Sequence, residues 1–538
     1  MKLKHLVRLR RISQAAFLIF FLFLLVESRL PQNIYLETAL APEQDLRLGR
    51  PVTFFFQLDP LIGLSSLLSG HRPISGLGWG LAILLLTLFL GRIFCSFICP
   101  FGTLHHAVGS ARPALRGSRQ VQCNQKTAGQ RIKYFLLTAL IVSALLGLNF
   151  TGLLDPIALL FRSIALAVIP GLGAGARSIF NALGGSRSVL LSRTGYGAEE
   201  FFAPVFGYHI QAYQTAWFIG LLFLVILFLN RIRPRFWCRV LCPLGALLGL
   251  CARFSILKLK KYPEKCTQCN LCLKHCQGAA SPRPDQTWET AECHMCFNCE
   301  HVCPEEALAF GFAPRPKLNP RPDIGKRALL GGLAAGFSFP LLGRLDGRID
   351  KAPDPRLIRP PGSLAEQQFL TLCQRCGLCM KVCPTNAINP TLAEAGMGGF
   401  WTPHLIMTRG YCEYTCTLCG SVCPTGAIEP ITAREKIARP VKIGSAYLDR
   451  GRCLPWSGNA PCIVCQEHCP TSPKAIYLKT DFVLRSDGKN MQVQLPYVDL
   501  KRCVGCGICE NKCPVRSLPA IRTVSAGESR SSSNQILI

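Results

Sequence analysis

Acidic side chains are scarce in this chain: 31 Asp and Glu stand against 60 Lys and Arg in 538 residues, a formal net charge of +29 at pH 7. On a soluble protein such an excess would suggest nucleic acid or an anionic surface. None of the usual nucleic-acid-binding motifs occurs, however, and neither does a signalling module, so nucleic acid is excluded as a partner. A C-x2-C-H sequence is also missing, which excludes covalent haem attachment. Apolar runs are present, yet several fall short of the roughly 20 residues a full membrane span requires.

Cysteine is what the chain has in quantity. Of its 30 cysteines, 24 fall into six groups of four, nearly all ending in Cys-Pro. The plainest is Cys503, Cys506, Cys509, Cys513, Pro514, with the C-x2-C-x2-C-x3-C-P spacing of a bacterial ferredoxin. In that spacing three thiolates on one tight loop hold three irons of a cubane, and the fourth reaches a partner cluster, so the groups come in pairs. Cys266, Cys269, Cys272, Cys276 and Cys293, Cys296, Cys299, Cys303 form such a unit, with Cys303 completing the first cluster and Cys276 the second. Gln277 stands where proline is usual. The remaining groups are Cys373, Cys376, Cys379, Cys383; Cys412, Cys416, Cys419, Cys423; and Cys453, Cys462, Cys465, Cys469, the last with a loop inserted after Cys453. The tails PTNAI, PTGAI and PTSPKAI after Cys383, Cys423 and Cys469 suggest a turn opening a short helix that caps each cluster.

Disulfide scaffolds are short and lack so regular a spacing. Zinc sites use two C-x2-C halves across a longer linker. The expected cofactors are therefore about six [4Fe-4S] clusters. Each all-cysteine cubane carries about two negative charges, which offsets part of the basic excess.

Hydrophobic residues make up 49% of the chain, with mean hydropathy +0.26, and they concentrate in the N-terminal half. Four apolar stretches, Ile12 to Val26, Trp79 to Phe94, Tyr134 to Leu154 and Trp217 to Asn230, predict about four transmembrane helices. The basic N-terminus and the basic segments Arg112 to Lys133 and Arg231 to Lys265 orient them, placing those segments and the Cys266 to Cys303 unit in the cytoplasm. Each pair of spans carries the same landmarks: an Asp-Pro turn (Asp59-Pro60, Asp155-Pro156), then a C-x3-C-P element (Cys95 to Pro100, Cys238 to Pro243). This reads as a two-fold internal repeat, with the cysteines at the cytoplasmic ends of the spans and the aspartates toward the opposite face.

The repeat of Cys95, Cys99, Cys238 and Cys242 at equivalent positions favours a further metal or redox centre over buried packing thiols. Cys123 and Cys251 lack that symmetry and read as spare thiols. His105 and His106 have no counterpart in the second copy, where Leu247 and Leu248 stand, and a polar interface role suits them better than metal ligation. Asp59 and Asp155 are candidate catalytic acids that could take protons from a quinol. Asp followed by Pro is equally an N-cap with a first-turn proline, and that reading has the greater weight.

A second basic-apolar segment, Gly325-Lys326-Arg327-Ala328-Leu329-Leu330 and on to Leu342, follows the proline-rich stretch Pro314 to Pro322. It resembles a twin-arginine export signal with Lys326 in place of the first arginine, retained as a tether because no small-residue cleavage site is evident. The expected architecture is an α-helical membrane domain plus α+β bacterial-type ferredoxin domains: 1–255 transmembrane, 256–312 a cytoplasmic two-cluster ferredoxin, 313–362 linker with signal or anchor helix, 363–524 a periplasmic four-cluster ferredoxin, and 525–538 a disordered tail.

On these motifs, residues 1 to about 310 resemble the NapH-type membrane ferredoxins, through the two C-x3-C-P elements and the groups ending at Cys276 and Cys303. Residues from about 323 resemble the NapG/MauM-type four-cluster ferredoxins, through the signal-like segment and the groups at Cys373, Cys412, Cys453 and Cys503. The resemblance implies a multi-pass protein of the cytoplasmic membrane, a component of a quinol dehydrogenase, that passes electrons from the quinone pool to a periplasmic reductase or cytochrome. Relatives with the same C-x3-C-P core serve as maturation factors that reduce a metal or cofactor of another enzyme, which leaves that role as the alternative.

Overall fold

The computed structural model describes residues 4–28, 53–71, 76–111, 118–206, 211–313, 326–345, 354–392, 394–438, 441–458, 460–484 and 490–535, with residues 48 and 74 alone. The chain divides into two compact units. One contains Met1–Val26, Val52–Val168 and Trp217–Leu341, and the other Glu27–Pro51, Ile169–Ala216 and Leu342–Ile538.

The first unit is built on helices α1 (Lys4–Glu27), α2 (Pro60–Gly70), α3 (Trp79–Leu90), α4 (Pro100–Ser110) and α5 (Ile132–Leu145). The continuous helix α6 (Pro156–Gly184) follows, and the boundary between the units falls inside it. Beyond α7 (Val189–Phe206) in the second unit, α8 (Ala216–Phe228) and α9 (Pro243–Ala252) return to the first. Among the described residues two helices are long and apolar enough to cross a membrane, His5–Glu27 and Pro156–Gly184. At 1.5 Å per residue, 29 residues reach about 44 Å, and the 12 of α3 reach only about 18 Å against a hydrocarbon core of about 30 Å. The four expected spans are thus matched in length by α1 alone, and α6 was not foreseen. The Asp155-Pro156 turn suggested an end where a long helix begins.

The start of α2 and the start of α6 are made alike. Asp59 Oδ1 accepts from the amides of Leu61 and Ile62, Asp155 Oδ1 from those of Ile157 and Ala158, and a proline fills the first turn of each. Cysteine plays the same part at α4 and α9. Cys99 Sγ accepts from Gly102 N at 3.4 Å and Cys242 Sγ from Gly245 N at 3.2 Å.

Strands β1 (Leu257–Lys261) and β2 (Leu308–Phe312) pair antiparallel and enclose the groups at Cys266 and Cys293. This ferredoxin is not an independent domain at 256–312, because buried polar groups tie it to the helices. Arg92 donates to Ala291 O at 2.8 Å, Tyr134 to Glu292 at 2.9 Å and Arg239 to Cys276 O at 3.0 Å, while Lys133 pairs with Glu292. Helix α10 (Lys326–Leu345) carries the signal-like segment. Its Gly332 and Gly336 pack on α5: a Cβ at Gly336 would lie 2.6 Å from Val142 Cβ and 2.9 Å from Ala139 O, so only glycine permits the approach. The stretch Pro314 to Pro322 and Gly325 lie outside the described residues.

In the second unit α11 (Glu366–Leu372) precedes three antiparallel pairs. They are β3 (Ile388–Pro390) with β4 (Pro403–Leu405), β5 (Ser445–Leu448) with β8 (Ile521–Val524), and the hairpin β6 (Ile476–Leu484) with β7 (Asn490–Val498). Residues 211–214, just ahead of α8, also belong here: Tyr213 donates to Met380 O at 3.2 Å and Asn386 Nδ2 to Ala212 O at 2.8 Å.

Three expectations are corrected. The PTNAI, PTGAI and PTSPKAI tails lead into β3, the Ser363–Ile428 bridge and β6 rather than helices; the short helices lie one turn earlier and carry the third cysteine. The described end of the 313–362 linker is packed, with Leu357, Ile358 and Arg359 buried. The tail expected to be disordered is held down as far as Gln535. Ser525 and Glu528 are buried, and Arg530 reaches Glu366 at 2.8 Å. Burial opposes a charge on Glu366, but Arg359 and Arg530 outweigh it and hold this carboxyl below its usual range.

Candidate iron–sulfur centres

All 30 cysteines are free thiols. In four of the six groups the backbone between the first three cysteines follows one pattern, with a left-handed residue before the second cysteine and another directly after it. These are Gln268 and Asn270, Met295 and Phe297, Arg375 and Gly377, and Gly505 and Gly507, with φ between 51° and 86°. Each loop then enters a one-turn helix bearing the third cysteine, such as Leu271–Lys274 or Ile508–Lys512. Successive left-handed turns point amides to one side, a cradle suited to an anionic group.

In five of the groups the fourth cysteine lies toward the partner group. Cys379 lies within electrostatic reach of Cys376, Cys373 and then Cys423, and Cys416 within reach of Cys383. Cys453 faces Cys462 and Cys513, while Cys509 faces Cys506, Cys503, Cys465 and Cys469. Cys276 has Cys296 as its nearest thiol neighbour, and Cys299 senses Cys296, Cys293 and Cys276. The partners are thus the groups at Cys266 with Cys293, Cys373 with Cys412, and Cys453 with Cys503. The last two pairs adjoin, since Cys412 N donates to Cys506 O at 2.9 Å. Hydroxyls of Thr385, Thr425 and Thr471 approach Cys383, Cys423 and Cys469 at 3.6, 3.9 and 3.3 Å, a shared role for the Pro-Thr tails. Burial, followed by neighbouring thiols, pushes Cys379 and Cys509 far above the usual thiol range, and Cys506 up to about 12. As bare thiols these groups keep their protons, and iron would displace them.

Among the described residues no group of three or more Cys, His, Asp or Glu side chains is gathered tightly enough to hold a single metal ion. Four sulfurs at about 2.3 Å from one zinc would stand about 3.8 Å apart. The donor set, four thiols drawn from two paired groups, suits a [4Fe-4S] cluster.

The other sequence candidates are distributed as follows. Cys95, Cys99, Cys238 and Cys242 come together, each sensing others of the set. Cys123 and Cys251 stand apart from them. His105 Nδ1 meets the Asn230 side chain at 3.0 Å and its ring packs edge-on to Phe101, the expected interface role. His106 meets Gln277, the residue in the proline position, at 3.4 Å. Asp59 and Asp155 are both fully buried and face one another within interaction range. A proton shared between two such carboxylates would relieve their repulsion. Asp59 is also within electrostatic reach of Cys99, closer than opposite faces of a bilayer would allow. Sequence reading missed Arg92 and Arg235, which stand three residues before Cys95 and Cys238. The repeated R-x2-C-x3-C-P spacing could have revealed them.

Comparison with known proteins agrees with this geometry. A 4Fe-4S binding domain family matches residues 73–119 and 213–262, a 4Fe-4S dicluster domain family residues 372–427, and a further 4Fe-4S binding domain residues 496–518. The methylamine utilization ferredoxin-type protein MauM of Paracoccus denitrificans is 34% identical over 37% of this chain and 84% of its own length. The ferredoxin-type protein NapG of Escherichia coli is 35% identical over 38% of this chain and 87% of its own. A putative electron transport protein of Escherichia coli, YccM, is 26% identical over 53% of this chain and 71% of its own. No solved structure matches. With crossed cysteine groups in place and relatives of this kind matched over most of their length, the chain belongs to the family of ferredoxin-type iron–sulfur electron-transfer proteins that includes MauM and NapG.

Proposed function

We propose that the protein is a membrane-bound relay carrying six [4Fe-4S] clusters that takes electrons from quinol and delivers them to a periplasmic oxidoreductase or cytochrome. The observation that carries this reading is the crossed association of the cysteine groups. On this reading the ligand sets are Cys266, Cys269, Cys272 with Cys303; Cys293, Cys296, Cys299 with Cys276; Cys373, Cys376, Cys379 with Cys423; Cys412, Cys416, Cys419 with Cys383; Cys453, Cys462, Cys465 with Cys513; and Cys503, Cys506, Cys509 with Cys469. The clusters supply one-electron transfer when bound. The chain's own work is to hold them in line. In the second unit the contact of Cys412 with Cys506 makes the four centres a continuous series.

Oxidation of a quinol yields two electrons and two protons. The facing carboxyls of Asp59 and Asp155 are the groups of this chain suited to accept a proton there, alongside their capping of α2 and α6. The signal-like helix α10, which precedes the second unit's ferredoxin in the chain, supports a periplasmic place for that ferredoxin. The Gly332 and Gly336 packing of α10 supports a signal helix retained as an anchor.

Anaerobically purified protein tests the reading. About 24 or more irons per chain are expected, with a broad absorbance near 400 nm that bleaches on addition of menaquinol or ubiquinol. Stoichiometric zinc with little iron would refute the clusters, and clusters that bleach with dithionite but never with quinol would refute the donor.

A further inference from the structure

The C-x3-C-P cysteines are set among buried cations that lack an anion. Arg92 and Arg235 are at most 1% exposed. Arg92 Nη2 stands 3.9 Å from Cys95 Sγ of the first element, and a Cβ on Gly245 of the second would lie 2.7 Å from the same nitrogen and 3.4 Å from Cys242 Sγ. One guanidinium therefore spans both copies. Arg235 reaches back from the second copy to Cys95 O at 3.5 Å. Arg92 Nε and Arg235 Nε and Nη2 have no acceptor among the described residues. The nearby acids are committed elsewhere: Glu292 to Lys133, Tyr134 and Gln130, and Asp59 to Asp155. Buried guanidinium donors without a partner are costly, so a negative group belongs between them.

We propose that Cys95, Cys99, Cys238 and Cys242 hold a seventh centre, an all-cysteine iron–sulfur cluster seated between Arg92 and Arg235. Four thiolates on a [4Fe-4S] core leave about two negative charges, which the two guanidiniums balance. A zinc tetrathiolate would carry the same charge, and the sulfide content measured below separates the two. The amides of Gly102 and Gly245, each donating to a cysteine sulfur, add the N–H···S bonds that tune such clusters. Ser96, inside the first element, donates to His294 O, which lies between Cys293 and Cys296. The seventh centre is therefore wired to the Cys293 cluster, while Cys269 of the Cys266 cluster is exposed. This inference extends the relay proposed above and is independent of quinol.

The test is metal and sulfide content of wild type, Cys95→Ala, Cys242→Ala and the control Cys251→Ala, purified anaerobically. Wild type and Cys251→Ala should carry about 28 irons per chain, and the other two variants about 24, with acid-labile sulfide falling in step. Arg235→Gln, which keeps all four cysteines, should leave iron unchanged and move one reduction potential lower. Folded Cys95→Ala and Cys242→Ala proteins with wild-type iron and sulfide would overturn the proposal, as would loss of one equivalent of zinc or copper without sulfide. A wild type holding about 24 irons that the variants retain refutes only the seventh centre; a wild type without iron refutes the relay as well.

Discussion

Asp59 and Asp155 allow capping and proton transfer to be separated. In each, Oδ1 is occupied by two backbone amides, so a shared proton would be left to the outer oxygens, which receive no other donor. Asparagine caps a helix about as well as aspartate, whereas alanine would cost about 1 kcal/mol at each helix start. Asp59→Asn should therefore keep the fold and the iron while replacing a titrating carboxyl by an amide. A positioned general base is worth roughly 10²- to 10⁴-fold, about 3–5 kcal/mol of barrier. If the two facing carboxyls act as one coupled base, either single substitution should remove most of that factor, and the double variant Asp59→Asn with Asp155→Asn should be little slower than either. The assay is menaquinol or ubiquinol oxidation by lipid-reconstituted protein, normalised to iron, alongside thermal unfolding. Wild-type rates in all three variants would confine both residues to capping. Rate losses that multiply would mean two independent bases, contrary to the coupled pair.

Gly505 has φ +76°, and a Cβ there would lie 2.6 Å from the backbone of Gly444. Gly505→Ala should cost more than about 1 kcal/mol and the cluster of the Cys503 loop, about four irons, read by iron analysis and melting. Glu366 is held below its usual range by Arg359 and then Arg530 against the effect of burial, so its stabilisation is full above about pH 4.3 and is lost as pH falls through its lowered folded value. Glu366→Gln should remove that dependence and weaken the tail at neutral pH by about 3 kcal/mol, seen as faster tryptic cleavage at Arg530; equal cleavage rates would show that the ion pairs do not hold the tail. Reporter fusions at Phe312 and Asp354 should place the first in the cytoplasm and the second outside it, and a cytoplasmic signal from both would remove the export reading of α10.

The cysteine groups were legible because cluster ligation is local: three ligands lie within seven residues, and the loop that presents them is set by residues such as Gly505 and Gly507 that accept a left-handed backbone. The Asp-Pro starts of α2 and α6 were legible for the same reason, since a cap is a contact between neighbours, whereas the Cys-Pro starts of α4 and α9 were read as the ends of spans. Four-cysteine spacing also implied that the groups cross, yet which groups pair after Cys303 depended on tertiary contacts. Helix length was less legible. Asp155-Pro156 ends one apolar stretch and starts another, and only the continuous backbone shows that Pro156–Gly184 is one helix. The convergence of Asp59 with Asp155, of Arg92 with Gly245, and of Arg530 with Glu366 joins residues 96, 153 and 164 positions apart. Composition and spacing carry no information at that range. Those meetings are decided by packing, where a buried charge must find its counter-charge or its proton.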